Sequence, residues 1–300
     1  MSILTPACAM LLFLPAVTLA AAMPLEQAFC KLTKNALGQP VETHELSFPT
    51  FHPQGMTAVN DRFFLSSVEV IDRTAEQGTG HLFEMSRQGT LLRSLQLGEG
   101  ALYHPGGIDY DGVCIWVPVA AYRSDSAAIV YAVNPETLES REVFRFGDHL
   151  GALSHFPEQH LLIGVNWGAR RFYRWKTEQR DEGWAVPDPN HPEVQDNGNH
   201  YIDYQDMQRI PGTPFLLCAG LQTYVEKGRR LPSFQLGGID LVHVPDLVAY
   251  YQVPMPVRQA GTRTWTQNPF FVETYERGLR FFFIPDDNIS SLYIFEVALN

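Results

Sequence analysis

Three hundred residues, 45% hydrophobic and 18% charged, are enough to bury a sizeable core, and this composition argues against a disordered chain. The formal net charge is −11, and no basic run is longer than the Arg pairs at 170–171 and 229–230. Nucleic acid and anionic membrane surfaces are therefore poor partners.

The chain opens on an apolar stretch with no charged side chain before Glu26. Residues 1–22 read as a signal peptide cut after Ala20 or Ala22, with a retained anchor as the alternative. The expected destination is secreted or periplasmic, with no membrane partner once the leader is removed. Residues 23–40 form a lead-in, in which PLEQAFCKLTKN suggests a short helix, and residues 41–300 are expected to be one domain. Removing the leader leaves Cys30, Cys114 and Cys218, so at most one pair can form. Cys114 and Cys218 sit in the strand-like runs VCIWV and FLLCAG and read as packing.

From His52 the chain reads HPQGMTAVNDRFFLSSV, and from His104 it reads HPGGIDYDGVCIWVPVA. Both follow one grammar: a short strand, a tight turn, then a strongly apolar strand. The grammar returns after Gly151, after Asp206 and after Phe270, with turns at Asn60-Asp61, Asp111-Gly112, Pro157-Glu158, Pro211-Gly212-Thr213 and Glu276-Arg277-Gly278. Two further strands follow each opening, most legibly AIVYAV from Ala128 and SREVFRF from Ser140. Four strands per unit at a period near fifty residues predict an all-β, single β-propeller of five blades. The last unit holds three strands, so VETHELSF at 41–48 is expected to supply its fourth and close the ring. A sixth blade around residues 176–203 is the alternative. The Pro-, Asp- and Asn-rich stretch from Glu178 to Tyr201 otherwise reads as a long exposed loop, either a lid or a plain insertion, with the Gly220 segment on the same face.

Blade starts face a propeller's axis, so their polar side chains converge. Here they are His52 and Gln54, His104 and Asp109, Asp148 and His149, Asp203 and Asp206, and Gln267 and Asn268. Imidazole and amide oxygen are donors for a divalent metal when thiolates are absent, which makes His52, His104, His149 and Asn268 the candidate ligands of one such ion. The competing role for each His is to lock a turn by bonding nearby backbone. The far ends of the second strands form another ring, including Ser66, Ser67, Glu69, Tyr122, Arg123, Asn166, Trp167, Gln222, Asp286, Asp287 and Asn288. Glu69 and Asp206 are the candidate proton movers, Arg123 a candidate anion clamp, and Asn166 and Gln222 candidate substrate contacts. Trp167 and Trp265 read as core. No nucleophile elbow, HExxH, CxxC, haem-attachment or phosphate-loop motif is present, so neither a nucleotide nor haem is expected.

The segments HPGGIDYDG, IWVPVAAYRSDS and HLGALSHFPEQHLLIGVNWGARRFYRW resemble an uncharacterised family of secreted propeller-like proteins, a domain of unknown function, and that resemblance implies no activity. More distantly, the blade openings are similar to those of the gluconolactonase and senescence-marker propellers. That likeness implies lactone hydrolysis with a cation held by Glu, Asn and Asp. This sequence has His at several blade starts instead, so none of that group's ligands is carried to a position here. Two expectations result: a metal-dependent hydrolase of small lactones or esters, or a propeller that binds a small molecule or a protein without chemistry.

Overall fold

The computed structural model of the chain describes residues 23–225, 234–255 and 263–299; the expected signal peptide lies outside them. Five antiparallel units follow one another as the blades of a β-propeller, each four strands wide, with the inner strand of the second interrupted into Leu102–Pro105 and Asp109–Tyr110. Blade 1 spans His52–Leu97, blade 2 Leu102–Phe146, blade 3 Ala152–Asp196 and blade 4 Asp203–Met255. Blade 5 is built from Phe270–Tyr275, Gly278–Phe283 and Ser291–Ala298, with Glu42–Glu45 pairing antiparallel to the last of these as the fourth strand. The lead-in folds as a short helix, Leu25–Phe29, against an apolar cluster shared by blades 4 and 5.

The hairpin turns fall where the sequence places them. Asn60 adopts positive φ between Val59 and Arg62, and Gly278 pairs with Tyr275 across the last turn. The second strands are apolar and buried through their middles because both faces are covered by neighbouring blades; in IWVPVAA every residue is buried, whereas Arg62–Asp72 and Phe215–Tyr224 become polar and exposed towards one end. Among the described residues the core divides into five apolar clusters, one between each pair of adjacent blades, the fifth and first included.

Residues 178–201 depart from expectation. They hold a two-stranded hairpin, Glu178–Arg180 with Gly183–Ala185, and then Glu193–Asp196, the outer strand of blade 3. There is no sixth blade among the described residues. The hairpin also leaves blade 3 from the end where Leu161 pairs with Lys176, away from Asn166, so it does not cover the His-bearing mouth. The Gly220 segment rises at the opposite end of its blade, where Leu221 pairs with Asp203, so the two do not share a face. Cys30, Cys114 and Cys218 are all free thiols.

Near the axis the inner strands approach so closely that only glycine fits. A Cβ on Gly55 would lie 2.6 Å from the Gly107 Cα, and one on Gly107 would lie 2.7 Å from the Asp206 Cα. At this waist the Asp206 carboxylate, fully buried, accepts backbone N–H groups from Met56 (2.9 Å), Ile108 (3.2 Å), Met207 (3.0 Å) and Phe270 (3.4 Å). One side chain thereby ties blades 1, 2, 4 and 5. Blade 3 joins through backbone bonds from Gly107 N–H to Gly151 O and from Leu153 N–H to Gly107 O.

Candidate functional site

Above the waist the axis widens into a cavity of about 240 Å³, at the end where the innermost strands begin. His52 and His104 reach it from the starts of blades 1 and 2, and His149 from the segment entering blade 3. The hairpin tips after the second strands supply Arg73, Tyr122, Asn166 and Trp167, while Gln54, Asp203 and Gln205 complete the polar wall. Of the residues expected to act here, the structure therefore brings together His52, His104, His149 and Asn166.

The three imidazoles are held differently. His52 Nδ1 lies 2.8 Å from Asp287 Oδ1, and Asn268 Nδ2 donates to the same oxygen at 3.1 Å. Burial pushes Asp287 up, but hydrogen bonds from His52, Asn268 and Arg263 outweigh it and hold the carboxyl at about 2. His149 Nδ1 lies 3.2 Å from the Ala121 carbonyl, which can only accept, so the proton sits on Nδ1 and the lone pair on Nε2. Burial pulls His149 down to about 4 against the opposing pull of Ala121 and Asp148, so it is neutral at pH 7. His104 is buried with neither ring nitrogen bonded, and its ring stacks on Tyr122 at 4.1 Å between centroids. Burial, reinforced by the positive charges that His149, His52 and Arg73 can carry, holds it well below the usual histidine range.

An imidazole with two unsatisfied nitrogens is expensive in a fold that pairs nearly all its buried polar groups. The His104 ring lines a polar cavity, and it marks the site. Two neutral rings supply lone pairs and at least one N–H; the faces of Tyr122 and Trp167 supply apolar surface. Among the described residues no group of three or more His, Cys, Asp or Glu is placed to hold a metal ion.

The remaining sequence candidates lie elsewhere. Asp206 is occupied by backbone amides at the waist, and burial drives its pKa well above the usual carboxylate value despite them. Glu69 stands one residue beyond Val68, the partner of His52, and lies 3.3 Å from His81, off the cavity wall. Arg123 is at the rim but is neutralised by Glu76 at 2.7 Å. Gln222 lies on the rising hairpin of blade 4, where its Oε1 accepts from Thr223 N–H. Asn268 acts one step back, through Asp287, and its buried Oδ1 has no partner. Sequence reasoning missed Arg73 and Gln205, and it assigned Trp167 to the core although the ring lines the cavity; Trp265 does pack against Phe283 and Phe295.

A profile of a family of unknown function, DUF6454, matches residues 9–300. The chain belongs to that family. No curated protein matches it. Among solved structures, this DUF6454 member is similar to a hypothetical protein from Leishmania major, with a TM-score of 0.53 at 11% identity over 91% of this chain and 94% of that one. A glycosyl hydrolase from Bacteroides ovatus gives a TM-score of 0.46 at 9% identity over 94% and 95% of the two chains. A mannose phosphorylase from Leishmania mexicana gives 0.44 at 6% identity over 86% and 88%. At these identities the likeness to the Leishmania major protein concerns the fold alone, and the other two carry no argument about DUF6454 chemistry.

Proposed function

We propose that this propeller binds a small hydroxyl-bearing molecule in its central cavity. The observation that carries the reading is His104, buried among other imidazoles with both ring nitrogens unbonded. A neutral imidazole offers one donor and one acceptor, and His149 offers an acceptor alone. A hydroxyl group donates and accepts at once, so it complements both rings, whereas a group that only accepts leaves the His149 lone pair unmet. The ring faces of Tyr122 and Trp167 suit the C–H surface of such a ligand.

The test is a panel of sugars, polyols and hydroxy acids followed by NMR of the imidazole nitrogens. Binding should move the His104 ring signals, and His104→Phe should abolish it. A ligand that binds without moving those signals would place recognition elsewhere and sink the reading.

A second reading, metal-dependent hydrolysis of a small lactone or ester, is favoured by one observation. Asp287 and the Ala121 carbonyl orient His52 and His149 through Nδ1, the way outer groups orient metal-ligating imidazoles. It requires the three rings to draw together around the cation. The expected proton movers Glu69 and Asp206 lie off the cavity, and Asp203, a carboxylate in its wall, is already paired with Arg170, so a metal-bound water would lack an unengaged carboxylate base there. Elemental analysis with melting before and after chelation decides it: a metal-free protein indifferent to chelator and added cations removes this reading and leaves the first standing. The apolar leader supports a secreted or periplasmic location, which N-terminal sequencing of the mature protein would test.

A further inference from the structure

Beside the cavity stands a cation that no acid in the described structure neutralises. Arg73 occupies the turn between the second and third strands of blade 1, and among the described residues it has no carboxylate partner. Its guanidinium lies 4.1 Å from the centre of the Tyr122 ring. The nearby acids are spent on other groups. Asp72 Oδ1 accepts from the backbone N–H of Thr74 at 2.8 Å and of Ala75 at 3.0 Å. Glu76 is paired with Arg123, and Asp287 with His52 and Arg263.

The position of this charge ties it to the site. Tyr122 carries Arg73 against its ring at the rim and His104 against its ring within the cavity. Arg73 and the unbonded imidazole both line the central cavity, and Arg73 and Tyr122 also line a second cavity of about 390 Å³. A guanidinium set over an aromatic ring is held there without using its N–H groups, whose fork matches the paired oxygens of a carboxylate or phosphate. In a chain of net charge −11, Arg73 thus stands without a carboxylate partner among the described residues.

We propose that the ligand of this cavity carries an oxyanion, held at the rim by Arg73, while its hydroxyl groups reach His104 and His149. This rests on the reading of the cavity as a hydroxyl-binding site and names the class of molecule that fits it: a small hydroxy acid or a phosphorylated polyol. Arg123, the sequence candidate for the same task, is the wrong arginine because Glu76 already holds it.

Calorimetry with matched probes tests the proposal. D-gluconate is compared with D-sorbitol, and glucose 6-phosphate with glucose, on the whole mature protein and on Arg73→Gln. The expected result is that at least one anionic probe binds about fivefold or more tightly than its neutral counterpart at low salt. That preference should shrink as salt is raised and disappear in Arg73→Gln, with the neutral probe unaffected. Which anion gains distinguishes a carboxylate from a phosphate. Equal binding of acid and neutral probes, or a preference that survives Arg73→Gln, overturns the role of Arg73 and leaves the hydroxyl-binding reading intact. Failure of all four probes to bind overturns both.

Discussion

At the wide mouth of the axis, buried His104 bonds through neither ring nitrogen, whereas at the narrow end buried His155 uses both, Nδ1 with Asp111 at 2.7 Å and Nε2 with Thr177 at 3.1 Å. Asp111 in turn accepts from Trp116 Nε1 and from the backbone N–H of Val113 and Cys114. Its neighbour Asp109 accepts from Arg209 N–H, Tyr110 N–H and the Ser154 hydroxyl. The same residue types thus line both ends. At one end each carboxylate and imidazole has its partners inside the protein and the arrangement holds blades together. At the other, His52 and His149 are each held through Nδ1 but His104 has no partner on either nitrogen, and that ring is available to a ligand. Residue type does not separate structure from function here; the completeness of hydrogen bonding does.

The largest test of this contrast is Asp206→Ala. Four backbone N–H groups at the waist lose their acceptor, and stability should fall by about 3–5 kcal/mol in denaturant titration. His104→Phe should do the reverse: removing an unsatisfied buried ring should leave the protein as stable or more so, by ~1 kcal/mol, while ligand binding is lost. A His104→Phe protein that unfolds readily would make that ring structural and erase the contrast.

The pH dependence of the two ends should have opposite sign. Burial raises Asp109 to about 7, so its contribution to stability is complete below the ordinary carboxylate range near 3.8 and is lost as pH rises through 7. His149, lowered to about 4, contributes fully above the ordinary imidazole value of 6.5 and loses that contribution as pH falls through 4. Relative to wild type, Asp109→Asn should therefore gain between pH 4 and 7, and His149→Phe should lose over the same range. Melting curves at several pH values, read as differences from wild type, check both signs. The smallest expected effect is Glu69→Gln: its carboxylate is part-exposed and off the cavity, so stability should change by less than about 0.5 kcal/mol and ligand affinity not at all.

Much of the fold was legible because turn chemistry repeats. Asn60-Asp61, Asp111-Gly112 and Glu276-Arg277-Gly278 announce hairpins in the same place in successive units, and the apolar second strands follow them. Glu193–Asp196 was hidden because EVQD has no apolar alternation; an outer strand has one neighbour and a mostly exposed face. The three cavity His residues were legible as a recurrence at blade starts. Asp206 was not, since an inner-strand carboxylate reads identically whether it faces the cavity or the waist, and only the approach of Gly55 and Gly107 fixes its level. Glu69 was misplaced because Arg62–Asp72 outruns the inner strand it pairs with, which ends its ladder at His52. Arg73 looks like any turn arginine; its significance lies in the acids around it being engaged, which no local pattern records.

The pairing of Glu42–Glu45 with Ser291–Ile294 also bears on how the molecule assembles. These partners lie about 250 residues apart, the costliest kind of contact to form by chance encounter. The last blade cannot gain its outer strand until almost the whole chain has been made, and until then Ser291–Ala298 offers an unpaired edge to any extended segment nearby. Refolding should therefore be limited by this late step, with aggregation as its competitor, and a peptide copying Val41–Phe48 should be able to occupy the edge in a chain that lacks its own copy.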